Sequence, residues 1–296
     1  MLRFRRFTFN VVSLLCVLVS VANVGASQTL KESSDQAVEF NNLAVDCVKD
    51  HQYQKAVDLL QKAIKIQPDF AMARFNLGRI YQMRDEFERA IDEYKGALDS
   101  KPDFVDALYQ LGISYDKTER YADAVDCLAH AAQLQPGRAD LLTELGFAYS
   151  NHGQVQDAVT VLQAAIRIKP DLVDAYNNLG AAYFKTGQVS RAIEALEQAT
   201  RLTPDLAVAH YNLGVALTQA HRQQQAIAEF KQALVLNPNF AESRYSLAVV
   251  YLQRGQRSLA LEEYHLLKSM DYEMSVKLFE IIFQNKIINV REHAGE

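Results

Sequence analysis

The sequence predicts an all-α solenoid of seven 34-residue helix–turn–helix repeats followed by a capping helix. Three observations carry that prediction. The six prolines, Pro68, Pro102, Pro136, Pro170, Pro204 and Pro238, are separated by intervals of 34 without exception. The same step joins Ala56, Ala90, Ala124, Ala158, Ala192, Ala226 and Ala260, and it joins Leu43, Leu77, Leu111, Leu145, Leu179, Leu213 and Leu247. Each of those leucines is followed by a small residue: Ala44, Gly78, Gly112, Gly146, Gly180, Gly214 or Ala248. A fixed period of this length marks helix pairs that bury their apolar faces only against neighbours of the same kind.

Val173–Leu206 shows how one unit is built. Tyr176, Leu179, Gly180 and Tyr183 stand at i, i+3, i+4 and i+7, one face of a first helix. Gly187 interrupts the pattern, and Ala192, Leu196 and Ala199 line one face of a second helix. Pro204 ends that helix, and Asp205 is suited to cap the next one. The pattern resembles the tetratricopeptide repeat, whose signature pairs Leu-Gly and Tyr on the first helix with Ala, Phe and Ala-x4-Pro on the second. The resemblance places repeats at 37–70, 71–104, 105–138, 139–172, 173–206, 207–240 and 241–274, and it implies a right-handed superhelix. The signature's tryptophan position instead holds Phe40, Arg74, Leu108, Leu142, Tyr176, His210 and Arg244. In the last repeat Leu267 and Tyr272 replace the second Ala and the Pro.

The segments flanking the array differ from it. Residues 1–26 open with three arginines and no acid, continue as the apolar run Val11–Ala22, and end in Val24-Gly25-Ala26. That order is the one found in a cleaved secretory signal, with an uncleaved anchor or a mitochondrial presequence as the other readings. Arg5-Arg6 lacks the apolar follower of a twin-arginine signal, and Cys16 lacks the small predecessor of a lipoprotein cysteine. Residues 27–36 form a polar leader in which Ser33-Ser34-Asp35 can cap the first helix. At the other end, 275–290 is expected to be a capping helix with Val276, Phe279, Phe283, Ile287 and Val290 on its inner face, followed by a polar tail at 291–296. Leu278, Ile281, Ile282 and Ile288 then lie off that stripe, which leaves room for the helix to dimerise as well as to cap.

Composition excludes several functions. With 31 basic and 36 acidic residues the net charge is −5, and without residues 1–26 it is 28 − 36, or −8. An acidic solenoid lacks the basic stripe that nucleic acid requires. Cys47 and Cys127 lie more than two repeats apart on faces expected to be buried, so they read as small core residues. The seven histidines are scattered without H-x-x-x-H or C-x-x-C spacing, and the repeated glycines are not a phosphate loop. The chain therefore reads as a non-enzyme with no cofactor or metal.

The informative surface is the concave one that the resemblance assigns to the first helices. The residue before each periodic leucine is Asn42, Asn76, Gln110, Glu144, Asn178, Asn212 or Ser246. An amide offers both donor and acceptor, which is what an extended peptide backbone needs. This ladder is similar to the one in the tetratricopeptide array of O-linked N-acetylglucosamine transferase, although no transferase domain follows here. One position earlier stand Asn41, Phe75, Tyr109, Thr143, Asn177, Tyr211 and Tyr245, which add aromatic stacking area. Asp106, Asp140 and Asp174 recur at the outer edge and favour a basic or neutral segment. The competing reading has the amides bracing adjacent repeats and the aspartates simply solvated at helix starts. The carboxylate clamp of chaperone adaptors is not reproduced, because its positions hold Asn41, Val45, Asp106 and Gln110, with Asn76 alone matching.

The expectation is an exported scaffold, periplasmic or in a secretory lumen. It would grip a protein segment in its groove during assembly or regulation of an envelope or membrane complex. The alternatives are a self-assembling protein whose groove is self-occupied and a non-catalytic subunit of an enzyme. A membrane contact would run only through an uncleaved N-terminus, and a homo-oligomer through the C-terminal helix.

Overall fold

A 34-residue period built from Ala, Leu and Gly can satisfy itself only by packing helix on helix, and the structure does so throughout. The structure is a computed structural model that describes residues 32–292, with side chains described as far as Phe283. The expected signal at 1–26 and the first half of the leader, 27–31, lie outside the described residues, as do the tail beyond 292 and the side chains of Ile287, Ile288 and Val290. Fifteen α-helices and no strand occur among the described residues.

The chain divides into two compact units, one up to Leu134 and one from Gln135 onward. The first holds α1 (32–49), α2 (Tyr53–Ile66), α3 (Ala71–Met83), α4 (Phe87–Ser100), α5 (Val105–Lys117) and α6 (Tyr121–Leu134). The second holds α7 (Ala139–Asn151), α8 (Val155–Ile168), α9 (Val173–Lys185), α10 (Val189–Leu202) and α11 (Ala207–Gln219). It continues with α12 (Gln223–Leu236), α13 (Ala241–Gln253), α14 (Arg257–Lys268) and α15 (Tyr272–Glu292). Each odd-numbered helix from α3 to α13 packs on the even-numbered helix that follows it, and each even-numbered helix within a unit packs on the next odd one. Successive odd helices also meet, α3 on α5, α7 on α9, α9 on α11 and α11 on α13, whereas successive even helices do not. Within each unit the odd helices therefore line the tighter, inner face.

The periodic residues hold these pairs together. Ala56, Ala90, Ala124, Ala158, Ala192, Ala226 and Ala260 are all fully buried. A Cβ on Gly78 would lie 2.7 Å from the Tyr94 ring, and one on Gly112 would lie 2.5 Å from Leu128, so these positions admit nothing larger. The turn inside each pair places one residue at positive φ: His51, Asp85, Glu119, Gly153, Gly187, His221 and Gly255. Gly187 takes this conformation freely, whereas Glu119 at φ 60° holds it against its Cβ.

Two expectations about helix ends are corrected. Helix α1 already runs from residue 32, so Ser33, Ser34 and Asp35 lie inside its first turn rather than ahead of it. Asp205 does not cap α11: the N-cap residue is Leu206, with no side-chain cap bond. The residue at that position is used for packing instead. Phe104, the equivalent N-cap of α5, is buried with its ring 4.9 Å from Phe75.

The largest correction concerns α15. Its inner face is Ser275, Leu278 and Ile282, which are 1%, 0% and 1% exposed, while Val276 and Phe279 are 40% and 45% exposed. The reason is a change of period. Helix α14 has 12 residues where α10 has 14, and α15 starts 31 residues after α13. Leu278 thereby takes the place that Leu247 has in α13, and Ile282 takes that of Tyr251. The face expected from the apolar spacing, through Val276, Phe279 and Phe283, is displaced from the observed one by one residue, about 100° on a helix.

Candidate functional site

The inner face of each unit presents its amides already paired. Asn76 donates from Nδ2 to Oδ1 of Asn41 at 2.8 Å, and Asn212 donates from Nδ2 to Oδ1 of Asn177 at 2.9 Å. Both bonds span 35 residues and tie one odd helix to the next. Tyr211 and Ser246 form a third pair at the same spacing, and burial holds the Tyr211 hydroxyl above its ordinary pKa. Bracing of adjacent repeats is therefore a real function of the ladder. It uses one of the two N–H donors of Asn76 and of Asn212, and it fixes how each amide is turned. Asn178 and Gln110, at equivalent positions, are half-buried. Asn42 is exposed and accepts from Asn41 Nδ2 at 3.4 Å.

The aromatic positions divide in two. Phe75 is buried between Tyr94 and Phe104, with ring centroids at 5.9 and 4.9 Å, so it belongs to the core and offers a partner little surface. Asn41, at 6% exposure, is likewise an interior brace. Tyr211 packs on Phe230 and Phe240 but stays half-buried, as do Tyr109 and Tyr245. Among the aspartates, Asp106, Asp140 and Asp174 are all exposed, and Asp140 is engaged by Arg138 Nε at 3.2 Å.

Two apolar recesses open on the inner face. The first lies between α1 and α3 over Leu60 of α2, with walls from Val45, Val48 and Met83 and with Asn76 at its edge. The second lies between α11 and α13 over Phe230 of α12, walled by Phe184, Val215 and Val249, with Tyr245 and Ser246 at its edge. Sequence reasoning reached Asn76 and Tyr245 but missed these walls. The signal was present as apolar residues directly after the small residue or one turn beyond that place, at Val45, Val48, Val215 and Val249.

A third feature was legible and went unread. The position held by tryptophan in the repeat signature carries Arg74, His210 or Arg244 wherever the residue 19 places later is glutamate, and an apolar residue elsewhere. Arg74 pairs with Glu93 at 3.2 Å and donates from Nε to the Pro68 carbonyl at 3.0 Å. Arg244 pairs with Glu263 at 2.8 Å and reaches the Pro238 carbonyl at 3.0 Å. His210 repeats the arrangement, Nδ1 to Glu229 at 2.6 Å and Nε2 to the Pro204 carbonyl at 3.0 Å. These groups are joints between a helix pair and the proline turn before it, not a catalytic set. Among the described residues no three His, Cys, Asp or Glu side chains are grouped to hold a metal ion. Cys47 and Cys127 are free thiols, and burial pushes Cys127 up to about 11. No described helix is long and apolar enough to cross a membrane.

Paired helices at this spacing, small residues at the crossing and a proline after each second helix define a tetratricopeptide-repeat protein. The model of the family described as Cilia and flagella-associated protein 70 C-terminal domain matches residues 48–233, well over half of the chain, and the chain belongs to that family. A general TPR repeat model matches residues 216–255. The uncharacterized protein ycf37 of Cyanophora paradoxa is 35% identical over 54 residues, which is 18% of this chain and 31% of that relative. The crystal structure of the APC/C hetero-tetramer Cut9–Hcn1 is similar with a TM-score of 0.67 at 18% identity; the match covers 84% of this chain and about half, 53%, of that one. YrrB, described as a TPR protein with an unusual peptide-binding site, is similar with a TM-score of 0.51 at 24% identity, covering 62% of this chain and 95% of that one. At these identities the structural likenesses establish the fold.

Proposed function

We propose that the protein is a non-catalytic scaffold that holds an extended segment of a partner protein against its odd-numbered helices. The observation that carries this reading is the pair of apolar recesses, each beside residues of the amide and aromatic rows. A recess of this kind anchors an apolar side chain, and an amide beside it bonds the peptide backbone, the division of labour found in peptide grooves. Asn76 and Asn212 act in this scheme as braces between adjacent odd-numbered helices. The peptide-binding site named for YrrB supports the reading at the level of the fold. We place the scaffold outside the cytoplasm, after removal of residues 1–26, in the assembly or regulation of an envelope or membrane complex.

Photo-crosslinking residues placed singly at Val45, Val249 and Val235 test this in the native compartment. Val235 is 73% exposed on an even-numbered helix and serves as the outer-face control. Partner adducts from Val45 and Val249 but not Val235 are expected; adducts from Val235 alone would move the function to the outer face. The mass of the mature protein tests export, because an intact N-terminus would reject cleavage.

A second reading has its own observation. Val276 and Phe279 are exposed, and Phe279 meets Phe283 at 4.4 Å and Tyr264 at 5.8 Å, which makes an aromatic patch on α15. Self-association through this patch is the alternative function. Light scattering on wild type and Phe279→Glu decides it, since a monomer in both excludes the alternative.

A further inference from the structure

We infer that the recess in the first unit selects a partner segment carrying an apolar side chain beside a carboxylate, whereas the recess in the second unit selects for apolar character alone. This rests on the peptide-groove reading above and adds the chemistry of the occupant. The two recesses occupy equivalent places five repeat periods apart: Val45 corresponds to Val215, and Leu60 corresponds to Phe230. Their rims differ in charge. Lys49 and Arg79 stand over the first recess, where Gln219 and Val249 stand over the second.

Both cations are exposed, and they are not equally occupied. Lys49 is 2.8 Å from Asp46 Oδ1. No ion pair is formed by Arg79 within the described residues; its guanidinium lies 6.0 Å from the centroid of the Phe75 ring. The first recess therefore pairs an apolar floor with a positive rim. Its most accessible walls are Met83 and Val45, at 54% and 37% exposure.

An extended segment puts residues i and i+2 on the same side, roughly 7 Å apart. A Leu- or Met-sized side chain seated over Leu60 thus carries a residue at i±2 toward the rim. The planar fork of Arg79 accepts a carboxylate there in bidentate fashion, which a neutral or basic side chain cannot supply. The expected preference for a basic or neutral segment then applies beside Asp106, Asp140 and Asp174, and the recess over Leu60 reverses it locally.

The test uses the full chain with labelled Met and Val methyl groups and three synthetic decapeptides. One has a central Leu with Glu at i±2, one replaces both Glu by Lys, and one replaces the Leu by Ala. The Leu–Glu peptide should shift the Met83 and Val45 methyl signals and bind about tenfold more tightly than the Leu–Lys peptide. The Ala peptide should lose the Met83 shift. Arg79→Glu should invert the Glu/Lys preference and Arg79→Gln should abolish it, with unchanged melting temperatures showing that both variants are folded. Unchanged preference in Arg79→Glu overturns the inference, as does equal binding of the Ala peptide. Shifts at Val215 and Val249 without shifts at Met83 would overturn it while leaving the groove reading intact. No shift at either recess with any peptide would overturn both.

Discussion

Repeats 71–104, 207–240 and 241–274 on one side, and those around α5, α7 and α9 on the other, solve one packing problem with opposite chemistry. At the tryptophan position of the repeat signature, Arg74, His210 and Arg244 bond a glutamate and a proline carbonyl. Leu108 and Leu142 fill the same place with buried hydrocarbon, and the residue 19 places later is Cys127 or Val161 in place of glutamate. The apolar version needs no partner geometry. The polar version makes directional bonds to the preceding turn, and it fails badly when half of it is removed. The two versions teach that the position requires a filled joint, not a given residue type, provided both members change together.

The largest effect should come from breaking a polar joint on one side. Arg244→Leu leaves Glu263, whose side chain is only 16% exposed, without its cation and the Pro238 carbonyl without its donor. A loss of about 3 kcal/mol in urea unfolding is expected. The double change Arg244→Leu with Glu263→Val recreates the apolar joint and should recover most of that loss. If the double variant is no more stable than the single, the two joint types are not interchangeable. Overpacking a crossing comes next. Ala192→Leu inserts three carbons at a fully buried position and should cost about 1–3 kcal/mol. Unchanged melting would show that the crossing is looser than its burial implies.

The fold was legible because a solenoid repeats its constraints: every Leu–small pair and every proline reports the same geometry again, so a chance match is quickly diluted. The inner face was legible as a row of positions, but the division of labour within it was not. Asn41 and Asn76 have the same composition as a groove ladder, and only coordinates show that one is 6% exposed and bonds the other. Phe75 and Tyr245 sit at one repeat position, yet Phe75 is buried and Tyr245 half-buried. The α15 error has a different source. The face was read from the apolar spacing of the helix alone, whereas the buried face follows α13 at an interval of 31 residues, and the departures at Leu267 and Tyr272 were the visible warning of that change.

His210 sharpens the comparison among the polar joints. Its two ring nitrogens both face acceptors, a carboxylate and a carbonyl, so both bonds form only when both nitrogens carry protons. Arginine meets the same two acceptors at any pH in the related joints. His210→Arg presents both donors permanently and should match or exceed wild type by up to one hydrogen bond, about 0.5–1.5 kcal/mol in urea unfolding. A variant less stable than wild type would show that the guanidinium does not fit the joint that the imidazole fills.

The smallest effect separates burial from pairing within a joint. Burial raises the Glu93 carboxyl above its ordinary 4.5, with Arg74 offsetting part of the rise. A raised pKa means that the folded state keeps a proton the unfolded chain releases. The stability linked to it is thus complete below the ordinary glutamate value and is lost as pH rises through the raised one. Glu93→Gln cannot titrate, so the stability of wild type relative to this variant should fall as pH climbs from about 4 to 6. Thermal melts across that interval measure the slope. A relative stability that rises instead would mean that the bond to Arg74 outweighs burial. Glu93 would then follow the ordinary rule for a paired carboxylate, and the polar joint would be the stronger of the two solutions rather than the more fragile one.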